Sequence, residues 1–166
     1  MKEEFTVKEV VSILGIPRPR LQDWVLRGFV KPSLVCSAGQ GVANIYGRID
    51  LYVISIFKTL VEHGIHRAEA KEMARLLEIE IGARLLEYEK YEGNMFLAFF
   101  KRPELGAEAK RSTKTLESPF VRIIRDRDTA KSFSSLFLAD PHGGFSLALV
   151  LDFRALKSSV DRKIEG

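Results

Sequence analysis

The sequence has 166 residues, 46% of them hydrophobic and 29% charged, and a formal net charge of +4. That is enough apolar material for a packed core without metal or disulfide staples. The single cysteine, Cys36, excludes an internal disulfide and any multi-cysteine zinc site, and fits a reducing, cytoplasmic compartment. The apolar runs 95–100 and 145–151 fall far short of the roughly 20 residues of a membrane helix. Met1-Lys2-Glu3-Glu4 has no apolar signal run behind it, so no membrane partner is expected. The charge does not point to one surface. Residues 1–65 hold 8 Lys+Arg against 6 Asp+Glu, residues 66–100 hold 5 against 7, and residues 101–166 hold 13 against 9. A basic binding face must therefore be argued from the placement of individual residues.

Thr6 reads as a helix N-cap, with Glu9 completing a capping box. Val7, Val10, Val11 and Leu14 follow at helical spacing, and Gly15 ends the helix. Pro17 opens a second short helix, tolerates Pro19 within its first turn, and carries Leu21, Trp24 and Val25 as its apolar side up to Gly28. Two short helices around a tight turn read as a helix-turn-helix. Phe29–Ser33 and Val42–Tyr46, flanking the small-residue loop 37–41, read as a hairpin, which in this position would be a wing. Asp50 is a candidate cap for a third helix with Leu51, Ile54, Phe57, Leu60 and Val61 on its apolar stripe, closed by Gly64. A fourth helix begins near Ala68, carries Ala70, Met73, Ala74, Leu77 and Ile81, and can run on to Tyr88 across Gly82.

Beyond this point the pattern changes. Met95–Phe100, Phe120–Ile124 and Phe145–Leu151 are strand candidates. Residues 102–118 look like a polar linker. Thr129–Leu138 reads as a helix or, over its second half, as a strand. Pro141–Gly144 is a turn, and Asp152 caps a last amphipathic helix carrying Phe153, Leu156, Val160 and Ile164. The expected class is α+β: a winged helix-turn-helix at 1–65, a helical linker or dimerisation segment at 66–92, and a small α+β domain at 93–166.

The run from Gly15 to Pro32 resembles the MerR-family helix-turn-helix without a gap. The similarity continues through Gly39-x-Gly41, Tyr46, Asp50-Leu51 and Leu60–Ile65, covering about residues 5–78. The resemblance implies a homodimeric double-stranded DNA-binding transcription regulator whose second helix enters the major groove. It also implies a wing on the backbone and a later helix that pairs subunits. Where the family carries an arginine and an aromatic, this chain has Gln22 and Asp23. Where it carries an arginine before the wing tyrosine, this chain has Asn44-Ile45. Two habitual phosphate contacts are thus lost or replaced.

Within that frame Arg18 and Arg20 are candidates for guanine edges or phosphate, and Gln22 for adenine or phosphate. Asp23 should face away from DNA. Arg27, Lys31, Asn44, Tyr46 and Arg48 are candidates for the backbone around the wing. Trp24 reads as a core anchor. Cys36 lacks partners for a sensor site. His63 and His66 fit a helix end better than a metal centre, and His142 reads as a turn residue. No nucleophile–base pair, phosphate-cradling loop or cofactor motif is present, so no enzyme activity, metal or cofactor is expected. The alternative to a regulator is a DNA-binding adaptor, excisionase-like or chromosome-organising, that recruits a protein partner through residues 93–166. Those residues could equally hold a small-molecule effector.

Overall fold

The computed structural model describes residues 2–34, 43–89, 93, 95–101, 120–125 and 147–166. The glycine-bearing loop with Cys36, the linker, the segment 129–138 and the turn at His142 lie outside the described residues. The chain divides into two units, Met1–Glu89 with Ala155–Gly166, and Lys90–Arg154.

In the first unit, β1 (Glu4–Thr6) leads directly into α1 (Val7–Leu14). The expected capping box closes the start of α1. Glu9 N donates to Thr6 Oγ1 at 3.4 Å, and Thr6 N donates to Glu9 Oε2 at 2.9 Å. At the other end Gly15 takes the left-handed conformation, φ 61°, which costs glycine nothing sterically. Lys58 Nζ donates to Leu14 O at 3.1 Å, placing a cation on the carbonyl end of α1 where the helix dipole favours it. Helix α2 (Arg18–Leu26) starts from Pro17, whose carbonyl accepts from Arg20 N and Leu21 N at 2.9 and 3.1 Å. Gly28 follows the helix at φ 66°.

Strand β2 (Ile45–Gly47) runs into α3 (Arg48–Glu62), and α4 (Arg67–Glu89) packs along α3. Leu51, Tyr52, Val53, Ile54, Ile56, Phe57 and Leu60 are all buried, so α3 is enclosed on more than one face and forms the centre of this unit. Ala70, Met73, Ala74 and Leu77 provide the buried stripe of α4, and the helix continues across Gly82. A last helix, α5 (Phe153–Glu165), contributes Ala155 onward to this unit. Tyr52 Oη, on the fully buried Tyr52, donates to Asp161 Oδ1 at 2.6 Å, and Lys157 Nζ reaches Asp161 Oδ2 at 2.5 Å. The sequence grouped this helix with the strands before it; from Ala155 onward it groups with residues 1–89.

The hairpin expected from Phe29–Ser33 and Val42–Tyr46 does not form among the described residues. Instead β2 pairs antiparallel with β1, with Phe5 opposite Tyr46 and Thr6 opposite Ile45. Residues 29–34 are bends and irregular backbone. Pro32 has no N–H to give a ladder, and Ser33 N donates to the Asp50 carboxylate at 2.9 Å instead. The third helix also starts earlier than expected. Gly47 is the N-cap, and Asp50 sits inside the first turn, where its Oδ2 accepts from Gly47 N at 2.8 Å.

The second unit holds a three-stranded antiparallel sheet in the order β4–β3–β5, with β3 (Met95–Lys101) central, β4 (Phe120–Arg125) on one side and β5 (Leu147–Asp152) on the other. Phe99 lies opposite Val121 on one side and Leu149 on the other. Met95, Leu97, Ala98 and Phe99 are buried, the continuous apolar pattern of a strand covered on both faces. Asp152 ends β5 and directly precedes α5, the position expected of its cap.

Candidate nucleic-acid interface

The inner side of α2 is tied to the core by aromatic packing. Leu21 and Trp24 are buried three residues apart. The Trp24 ring meets Phe57 of α3 edge-on, with centroids 4.9 Å apart at 80°. Phe29 stacks on the same Phe57 at 5.9 Å and 21°. Edge-to-face and offset contacts of this kind add to the area burial of the rings. Trp24 is thus the core anchor its position suggested. The turn before α2 is equally fixed, since buried Ile16 donates its N–H to Val11 O at 3.2 Å.

With that side fixed, the opposite side of α2 faces solvent. Arg18, Arg20 and Gln22 are exposed, and their side chains form no ion pair or hydrogen bond among the described residues. Arg18, Gln22 and Leu26 recur at helical i, i+4 spacing, and Leu26 is 88% exposed. A rigid helix presenting unneutralised guanidinium groups and an amide near its start has the donors that phosphate and base edges require.

Asp23 is held by two arginines. Its carboxylate accepts from Arg27 Nε at 2.6 Å through Oδ1, and its Oδ2 lies 3.6 Å from Arg67 Nη1 at the start of α4. The sequence singled out Arg27 but missed Arg67, because the partners are distant in the chain and no local pattern links them. Lys31 is exposed at the mouth of a cavity of about 270 Å³ between the Gly28–Lys31 turn, α3 and α4. Glu78 lines this cavity, and its carboxyl is raised above the usual range by burial and by the nearby Asp50 charge, with Lys31 opposing.

The residues expected beyond the loop are placed otherwise. Asn44 is half-buried. Tyr46 is 1% exposed inside the β1–β2 pair. Arg48 is 5% exposed, with its Nη2 donating to Lys2 O at 3.3 Å and lying 3.8 Å from Glu3 Oε1. Arg48 thus ties the start of α3 to the N-terminal residues, and both Tyr46 and Arg48 are far less exposed than Arg18 and Arg20. Asp50, 4% exposed, was missed as a fastening point. Its Oδ2 accepts from Ser33 N, Ser33 Oγ and Gly47 N at 2.9, 2.9 and 2.8 Å, and so joins the end of the helix-turn-helix to the start of α3.

No group of His, Cys, Asp and Glu among the described residues could hold a metal ion, and none of their helices is long and apolar enough to cross a membrane. No curated protein matches the chain. Residues 5–77 match the model of the MerR helix-turn-helix family of regulatory proteins. The matched stretch ends within α4 and takes in both helices of the helix-turn-helix, the Trp24–Phe57 contact and the Asp50 fastening. Over this segment the chain resembles the MerR helix-turn-helix regulators, a family of DNA-binding proteins that control transcription.

Proposed function

We propose that this protein is a homodimeric, sequence-specific transcription regulator that binds double-stranded DNA through α2. The observation that carries the reading is that α2 is locked against Phe57 through Trp24 while Arg18, Arg20 and Gln22 stand exposed, their side chains without an ion pair or hydrogen bond among the described residues. Arg18 and Arg20 reach guanine edges or phosphate, Gln22 reaches an adjacent base or phosphate, and Arg27 and Lys31 hold the backbone. In this reading the loop before Asn44 serves as the wing, α4 pairs two subunits, and the sheet of the second unit is an accessory module for an effector or a partner. The chemistry needs no cofactor and no catalytic group, and the protein works in the cytoplasm.

Selection from randomised duplexes tests the reading. The expected product is one preferred sequence with two related half-sites. Removing a bidentate arginine contact should cost about 1–3 kcal/mol at its cognate base pair and relax preference there. Binding that falls with salt but shows no preference among sequences would contradict it.

A further inference from the structure

Asp23, Arg27 and Arg67 form a charged cluster on the rim of α2. One carboxylate serves two guanidinium groups, one a turn further along α2 and the other on the first residue of α4. All three side chains are at least one-third exposed. The cluster carries a net +1 and lies beside the helix whose outer side bears Arg18 and Gln22. An exposed carboxylate in this position would repel a phosphate unless its charge were covered, and two arginines cover it.

We propose that Arg67 is a phosphate-binding residue of the DNA interface, and that Asp23 is its positioning counter-ion. In the free protein Asp23 holds Arg27 and Arg67 beside α2. On DNA, both guanidinium groups exchange the carboxylate for backbone phosphate oxygens, and planar arginine suits either partner. The inference rests on the DNA-binding reading and extends the interface from the helix-turn-helix to the start of α4. It also gives Asp23 a part in binding although it never touches DNA.

The exchange makes opposite predictions for its two ends. Each phosphate contact contributes about −0.9 to the slope of log affinity against log salt. Between about 50 and 200 mM salt, that is about 3.5-fold in affinity per contact. Arg67→Ala should flatten the slope by about one contact and weaken binding uniformly across sequences, whereas Arg67→Lys, which keeps the charge, should retain most of the slope. Asp23→Asn removes the internal competitor while the same two guanidinium groups reach phosphate, so it should tighten binding and leave the slope close to that of wild type.

The full-length chain is titrated against a labelled duplex of random sequence over that salt range, with Arg18→Ala alongside, and thermal midpoints confirm that each variant is folded. A flattened slope in Arg67→Ala together with tighter binding by Asp23→Asn establishes the exchange. An unchanged slope in Arg67→Ala, with Arg18→Ala flattened, overturns the inference and leaves the DNA-binding reading standing. Weaker binding by Asp23→Asn also overturns it, since a merely structural carboxylate would behave that way. A wild-type chain that binds no duplex overturns both.

Discussion

Substituting Asp50 by alanine removes a buried carboxylate whose Oδ2 accepts three hydrogen bonds. A hydrogen bond to a charged group contributes about 1.5–3 kcal/mol net, so simple addition would suggest a loss well above 4 kcal/mol. The surroundings reduce it. Ser33 is exposed, so its N–H and hydroxyl recover water when the carboxylate leaves, whereas Gly47, only partly exposed, recovers less. The expected destabilisation is therefore about 2–4 kcal/mol. Asp50→Asn keeps an acceptor oxygen and the shape but loses the charge, and should cost about half as much. Urea denaturation measures both. The Asp50 charge also helps to hold the Glu78 carboxyl above its usual range, so NMR titration should find Glu78 lowered in Asp50→Asn. An Asp50→Ala variant within about 0.5 kcal/mol of wild type, the scatter of ordinary surface changes, would refute the idea that Asp50 fastens residues 33 and 47 to α3.

Leu21→Ala should cost about 2–5 kcal/mol as a core truncation, whereas Leu26→Ala, on the same helix but fully in solvent, should stay within about 0.5 kcal/mol. Equal losses in the two would reverse the assignment of the inner and outer sides of α2. Tyr52→Phe leaves the ring in place and removes only the donor to Asp161. A loss of about 1–2 kcal/mol and faster amide exchange in α5 are expected, and unaltered exchange would show that this bond does not hold the helix. Glu9 titrates at about 2, because bonds from the Lys2 side chain and then from the Thr6 backbone and hydroxyl favour its charged form. Its folded value lies below the unfolded one of 4.5, so its contribution is present above about 4.5 and is lost as pH falls toward 2. A carboxyl titration by NMR near 4.5 would show that the capping box is open in solution.

What could be read from the sequence was local. The Thr6–Glu9 box, the glycine stops at 15, 28 and 64, and the apolar stripes of α3 and α4 each depend on residues within a turn or two of one another, and each stands where the spacing placed it. Trp24 was legible as an anchor for the same reason. The failures are all non-local. Tyr46 and Arg48 read as exposed wing residues because nothing nearby shows that β2 pairs with β1 and draws both inward. Residues 29–33 alternate like a strand, but Pro32 and the bond from Ser33 N to Asp50 remove the donors a hairpin needs. The pairing of Asp23 with Arg67 was out of reach for the same reason, since it joins two helices. For the candidate site, the arginines of α2 were legible from their place in its first turn, while Asp50 and Arg67, whose partners lie far along the chain, were not.

The most direct test is to present the full-length chain with a library of randomised duplexes and compare wild type with Arg18→Ala and Arg20→Ala. The account predicts that wild type enriches one motif of two related half-sites. At least one of the two variants should bind that motif about 5- to 150-fold more weakly, corresponding to the loss of about 1–3 kcal/mol of base contact. Enrichment of no motif, or an unchanged motif and affinity in both variants, would contradict the claim that the outer side of α2 reads DNA.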